Sequence, residues 1–465
     1  MTKQAKNIKI VLFILFIALS FMVINSTIYS YGQDEIFRIV VNVVENAISP
    51  EQMLEDMNFL TQKLKNVHPA TYRGFNQKQQ TSIDAAYEQI RNSPSMSSFF
   101  FTASTVIASF DDTYTNFAMN STGKCIDVPI ISLNDGFFIR ETTEHLQKGD
   151  KLISMGNMTM DSIFHKIKDF IPSENDQWRK VRMAQWLALG YPLDYLGLIE
   201  NDSVSISIER NGVPVTEKTI LQSCENIDWW KNRITKDSII GYTIYSDYSL
   251  GMLNIDYYYH DDFFKNILHS FFKEVAEKGI KNIAIDLRHG TYGTSYLVRE
   301  ILSYFNIDKY KEYGAEVRFS AETKAAAKDK RQKGSIKKKP GNFSNRKLKK
   351  DPKLLFKGNL FVMTSAQTAG SAIQLAATIK DNNLGTIIGE PTGIAPSFFG
   401  DTLKFTLPNS KFDFSVSFKK LTRPGRDNHP LDALYPDITV YTTSNDLLLG
   451  ADPQLEKIKN IILNR

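Results

Sequence analysis

From Asp237 onward, short apolar runs alternate with amphipathic stretches, and this alternation limits what the chain can fold into. Gly251–Ile255 and Asn282–Leu287 read as buried strands separated by the helix-patterned Asp262–Lys278. Leu360–Thr364 and Thr386–Ile388 repeat the arrangement around Ala372–Lys380. Strands that are apolar throughout and joined by helical crossovers pair in parallel, with helices on their faces. The expected class is therefore α/β. Phe412–Phe418 alternates and is expected to be an antiparallel or edge strand.

A chain of 465 residues is too long for one ordinary core. The segment before the α/β core, residues 45–118, is expected to be helical. There Leu54, Met57, Leu60 and Leu64 recur at spacings of three and four, with Ser49 as cap and Pro50 in the first turn. His68-Pro69 ends that helix, because a residue before proline avoids the α region. Residues 119–222 change character: Val204–Glu209 (VSISIE) is β-like, and the turn pair Asn211-Gly212 follows it. Lys148-Gly149-Asp150-Lys151-Leu152-Ile153-Ser154-Met155-Gly156 resembles the strand-and-turn segment of PDZ domains, which implies a PDZ-like β module able to add a peptide as an extra strand. A generic small β module remains the other reading. The core then runs over 236–465.

At the N-terminus, residues 1–9 carry Lys3, Lys6 and Lys9 and precede the apolar run Ile10–Ile24. Residues 10–31 are 22 residues without a charge, enough to span a hydrocarbon core of about 30 Å. The lysines favour an inside N-terminus and an outside remainder. The expectation is a single-pass cell-membrane anchor with the bulk extracytoplasmic; a cleaved signal peptide, giving a secreted protein, is the competing reading. The two cysteines, Cys125 and Cys224, exclude a disulfide scaffold and a CxxC-type zinc site, and whether they pair is left open.

Charge is concentrated. Between Lys324 and Lys353 thirteen Lys or Arg face two Asp or Glu, while the whole chain is only +5. This basic insertion, 324–353, reads as a solvated, mobile interruption of the core, or as a surface for an anionic envelope polymer. No nucleic-acid-binding motif accompanies it. No HExxH or comparable cluster suggests a metal, and no cofactor is expected.

Three ordered segments carry a family resemblance. They are Asn282-Ile283-Ala284-Ile285-Asp286-Leu287-Arg288 with its loop to Gly293, Leu360–Met363 leading into Thr364–Ala372, and Gly389-Glu390-Pro391-Thr392-Gly393. Leu407-Pro408-Asn409-Ser410 and Tyr435-Pro436-Asp437-Ile438 follow downstream. Together they resemble the C-terminal-processing, or tail-specific, serine proteases, which include the tricorn core. The resemblance implies a crotonase-like βαβ core, a helical N-terminal region, and action on a peptide or protein substrate.

Within that resemblance, Ser371 is the nucleophile candidate, at a strand-to-helix turn where a helix N-terminus can stabilise negative charge. Counting back from Gly389-Glu390-Pro391-Thr392 puts Gly370 in the usual serine slot, so the nucleophile is either shifted by one residue or missing; Ser371 as a plain helix N-cap is the other reading. One family branch uses a lysine just past the GEPT-like segment, where this chain has Gly393-Ile394-Ala395-Pro396-Ser397. The other uses a histidine in a DGHT-like segment; the match here is Asp111-Asp112-Thr113-Tyr114-Thr115, with Tyr114 at the histidine position. An unperturbed tyrosine, pKa about 10, is a poor base at neutral pH. His289 is a second candidate base, from the oxyanion loop, where Gly290 and Gly293 are the surviving glycines and Gly370 adds a third from the serine turn. His429 is a further loop histidine. Two functions follow: a membrane-anchored serine peptidase cutting unstructured or C-terminal segments, or a catalytically inactive relative that binds peptides or envelope proteins.

Overall fold

The computed structural model describes residues 48–464 apart from 93–94, 118–122, 232–239, 259–260, 291–292, 346–349 and 426–430. The apolar run Ile10–Ile24, its lysines, and His429 lie outside the described residues. Among the described residues, no helix is long and apolar enough to cross a membrane.

Helix α1 (Pro50–Val67) starts where Ser49 and Gln52 cap each other reciprocally, with Pro50 at the first helical position. It buries Met53, Met57, Leu60 and Leu64 along one face and ends at His68. Helices α2 (Gln77–Asn92) and α3 (Met96–Ala108) complete this region, and α3 buries the consecutive aromatics Phe99, Phe100 and Phe101.

After β1 (Asn116–Phe117) and β2 (Lys124–Cys125) comes a β-rich module. Its strands β3 (Ile130–Leu133), β4 (Gly136–Ile139), β5 (Lys151–Met155), β7 (Ser203–Arg210) and β8 (Val213–Ile220) pair in that order, and β6 (Met158–Thr159) pairs with β5. Helices α4 (Met160–Ile167), α5 (Asp176–Trp186) and α6 (Gly190–Tyr195) lie between β6 and β7. The β7–β8 turn is Asn211-Gly212 with φ of +52° and +79°, the two left-handed residues a tight hairpin demands. Strand β9 (Gln222–Ser223) pairs with β2, and the adjoining Cys125–Cys224 disulfide, buried with Leu189 and Ile227, fastens the two ends of the module together. The short helix α7 (Asp228–Lys231) follows.

The core sheet runs β10 (Ile240–Tyr245), β11 (Leu250–Ile255), β12 (Asn282–Asp286), β17 (Asn359–Thr364), β18 (Thr386–Gly389), β21 (Ile438–Thr439). From β11 to β21 every pairing is parallel; β10 is an antiparallel edge. Helices α8 (Asp262–Glu277), α9 (Tyr296–Leu302) and α10 (Gly370–Asp381) pack on one face. On the other, β11, β12, β17 and β18 present Met252, Ala284, Phe361 and Ile388 to Leu455 and Ile458. Buried on both sides, these strands needed the continuous apolar runs seen in the sequence.

The basic insertion departs from expectation. Strand β15 (Ser335–Lys338) pairs with β14 (Gly314–Arg318), and β16 (Gly341–Ser344) with β13 (Lys309–Glu312). Its lysines find acids on the same strands: Lys338 on Glu312, Lys337 on Glu316. Strand β20 (Asp413–Thr422) is antiparallel as expected but interior, with β19 (Phe399–Thr406) along one side and β1 then β14 along the other. This second sheet joins the helical region to the core. Arg318 donates to the Lys65 and His68 carbonyls at the end of α1, and Asp56 accepts the backbone N–H groups of Asn409 and Ser410.

The chain closes with α11 (Ser444–Leu449) and α12 (Pro453–Leu463). Ser444 donates to Asp135 of the β module, and Leu448 packs on Gly149, where a Cβ would come within 2.2 Å of it.

Candidate active site

The parallel strands end on one edge, and there the turn from β17 into α10 carries the candidate nucleophile. Thr368 Oγ1 accepts the Ser365 N–H and donates to the Leu287 carbonyl, so the turn closes on itself and on the β12 loop together. Gly370 opens α10 at φ +58°, a left-handed conformation that a side chain would strain. Ser371 is the second residue of the helix. The N-cap is Ala369, with no side-chain cap, so the capping reading of Ser371 does not hold.

Ser371 is 1% exposed. The loop after β12 lies over it: a Cβ at Gly293 (φ +147°) would sit 2.4 Å from Ser371 Oγ and 2.7 Å from Tyr258 Cβ, and one at Gly290 would sit 2.7 Å from Ala372 Cβ. Both glycines are present because backbone meets helix there. Three hydrogen bonds hold loop to turn: Ser365 Oγ to the Arg288 carbonyl at 2.5 Å, Thr368 Oγ1 to that of Leu287 at 2.8 Å, and the Ala369 N–H to that of Gly290 at 2.8 Å.

Tyr114 is half-buried beside this arrangement. It packs on the hydrophobic cluster that holds Tyr258, Ala369, Ala372 and Phe398, its ring centroid 5.9 Å from that of Phe398. Ser415 Oγ donates to its carbonyl, and its own N–H donates to Asp112 Oδ1. Gly290 and Gly293 thus meet the start of α10 at Ser371 and Ala372, while Tyr114 packs against the same large hydrophobic cluster through Phe398. His289 is exposed on the rim. Nearby, burial pushes the Asp256 carboxyl up to about 6; His289 pulls it down, Asp286 pushes it further up, and Arg288 pulls it down.

Several groups behind the Tyr114 segment were not foreseen. His68 and Asp112 are fully buried and 3.1 Å apart. Because His68 Nδ1 accepts the Ala70 N–H, the ring proton sits on Nε2 and donates to Asp112. Burial alone would raise Asp112, but hydrogen bonds from His68 and Thr115 keep its carboxyl below the ordinary range. One residue on, Thr113 Oγ1 donates to Glu174 Oε2 at 2.5 Å, while Glu174 Oε1 is enclosed without a partner. Burial first, and the charge of Asp112 second, push Glu174 up to about 8. Two carboxyls with opposite shifts therefore flank Thr113. Asp112 stood in the segment already singled out; Glu174, just before the Asn175 cap of α5, carried no signal. Among the described residues no group of acidic, histidine or cysteine side chains could hold a metal ion.

Comparison with known families matched residues 249–440 to Peptidase family S41. Among solved structures, mature CPAF complexed with lactacystin superposes with a TM-score of 0.67 at 14% identity, covering 90% of this chain and 99% of that one. Mature CPAF gives 0.64 at 14% identity, covering 89% and 98%. The photosystem II D1 C-terminal processing protease gives 0.43 at 12% identity, covering 86% and 94%. The likeness to CPAF is one of fold and extends well beyond the segment that matched the family. No curated protein matched the chain.

Proposed function

We propose that this chain, whose residues 249–440 match peptidase family S41, is a serine-type peptidase that cuts unstructured or C-terminal peptide segments outside the membrane, with Ser371 as nucleophile. The observation that carries the reading is the seat of Ser371 at the head of α10, directly after the left-handed Gly370 and beneath the glycine loop of β12. In this scheme Ser371 Oγ attacks the substrate carbonyl and gives up its proton to a base. The departing amine takes a proton in turn, and water then releases the acyl group. Backbone N–H groups at the start of α10 and at Gly293 are the oxyanion donors in this scheme. Tyr114 occupies the family's histidine position, and His289, facing Asp256, is the second candidate for the base. Ser371 is 1% exposed, so its hydroxyl must become accessible before it can attack.

The crotonase-like description suits the parallel sheet with helices on both faces. The PDZ-like description suits the strand, turn and helix over 151–167, where a peptide would be gripped. Export is supported by Lys3, Lys6 and Lys9 before an apolar run and by the Cys125–Cys224 disulfide, a bond that persists in oxidising compartments. Anchoring through residues 10–31 and contact of 324–353 with an anionic envelope polymer are parts of the same proposal.

The test compares the full-length chain with Ser371→Ala, using a dye-quenched unfolded protein and a serine-reactive fluorophosphonate. Hydrolysis and labelling that disappear in the variant are the expected result. Silence in both, from folded protein, would instead favour a peptide-binding relative without catalysis.

A further inference from the structure

Arg288 sits between two carboxylates. Its Nε and Nη2 donate to Asp286 at 2.9 and 2.6 Å, and its Nη1 and Nη2 donate to Asp452 at 2.8 and 2.7 Å. Asp286 is the last residue of β12. Asp452 is the N-cap of α12, where Oδ1 also accepts the Leu455 N–H. Both forks of the guanidinium are engaged, so its plane is fixed from two directions. Arg288 is also part of the loop over Ser371: its own carbonyl accepts Ser365 Oγ, between the bonded carbonyls of Leu287 and Gly290. The same helix end reaches the other half of the site, because Gln454 Nε2 donates to the Thr364 carbonyl where β17 enters the serine turn. Burial would raise the Asp452 carboxyl, and Arg288 holds it below the ordinary range, so the pair is ionic.

We propose that Asp452 is a positioning residue for peptide hydrolysis, acting through Arg288 to fix the backbone of residues 287–290 against the turn that carries Ser371. Asp452 touches no reacting atom. Its effect is on geometry: with one fork lost, Arg288 can rotate about its remaining carboxylate, and the loop carbonyls lose their fixed relation to Ser365, Thr368 and Ala369. This inference rests on Ser371 as the nucleophile, and the test separates the two claims.

Asp452→Asn keeps the size and capping ability of the residue, since Asn caps helices as well as Asp, but removes the negative charge that faces Arg288. Arg288→Lys keeps the positive charge and removes the fork. Each is made in the full-length chain. Measured are kcat and KM on the dye-quenched unfolded protein, and amide hydrogen exchange at residues 287–290. In both variants kcat should fall on the order of 10- to 100-fold, as for a small misplacement of catalytic groups, with KM within about twofold and faster exchange at 287–290. Unchanged kcat with unchanged exchange in both variants overturns the proposal. If the wild type itself does not hydrolyse, exchange alone decides the positioning claim: acceleration supports it, no change overturns it. Only the reading of Ser371 is then lost to the kinetics.

Discussion

Gly293 occupies the place from which any side chain would strike Ser371: its absent Cβ would lie 2.4 Å from the serine Oγ. The residue is held at φ +147°, where an L side chain is strained even in open space. The loop therefore approaches the helix closely for two independent reasons, one steric and one conformational.

Gly293→Ala should accordingly destabilise the fold by about 1–3 kcal/mol and slow hydrolysis. Combining it with Ser371→Gly should recover part of that loss, because removing the serine side chain relieves one clash. The contact with Tyr258 Cβ, at 2.7 Å, remains. Urea midpoints of the four proteins in this cycle give the coupling. Strict additivity would show that the two residues do not meet as described.

Glu174 sets a pH dependence. Its folded pKa of about 8 lies above the ordinary glutamate value of 4.5, so between those values the folded state holds a proton that the unfolded chain has released. The contribution to stability is complete below about 4.5 and is lost as pH rises through 8. Glu174→Gln should flatten this decline, by about 1–3 kcal/mol across the window after allowing for screening at a half-buried group. Thermal midpoints of both proteins from pH 5 to 9 would show it. Parallel curves would mean that Glu174 is ionised like an exposed carboxylate.

The Cys125–Cys224 disulfide closes a segment with a sequence separation of 99. Replacing both cysteines by alanine should cost roughly 2–5 kcal/mol, the range for a native cross-link of that span. Both residues are buried, so mild reductant should act only once the module opens. Mass spectrometry of alkylated protein, with and without prior unfolding, checks this. Two free thiols in the native protein would contradict the bond.

Much of the fold was legible because burial leaves a pattern. β12 is apolar at Ile283, Ala284 and Ile285 since both its faces are covered, and α1 repeats at three and four because one face is. Strand β15 is a different case. All four of its residues are exposed, and it exists through backbone pairing with β14 and lysine–glutamate contacts, which no hydrophobic pattern records. The site was partly legible in the same sense. Gly290, Gly293 and Gly370 stood out as glycines, and the structure supplies the reason for each. Glu174 and Asp452 did not stand out, because they act on residues 61 and 164 positions away, and nothing local distinguishes them from surface acids.

That separation of 164 residues has a temporal side. Arg288 is synthesised, and on the export reading delivered across the membrane, long before Asp452 exists to hold it. Until α12 docks, the loop over Ser371 has only Asp286 to steady its arginine, so a nascent or half-translocated chain would be a poor hydrolase toward its own unfolded segments. Chains stalled before residue 452 should label with fluorophosphonate more slowly than the complete protein, and equal labelling would show that competence arrives with the serine turn itself.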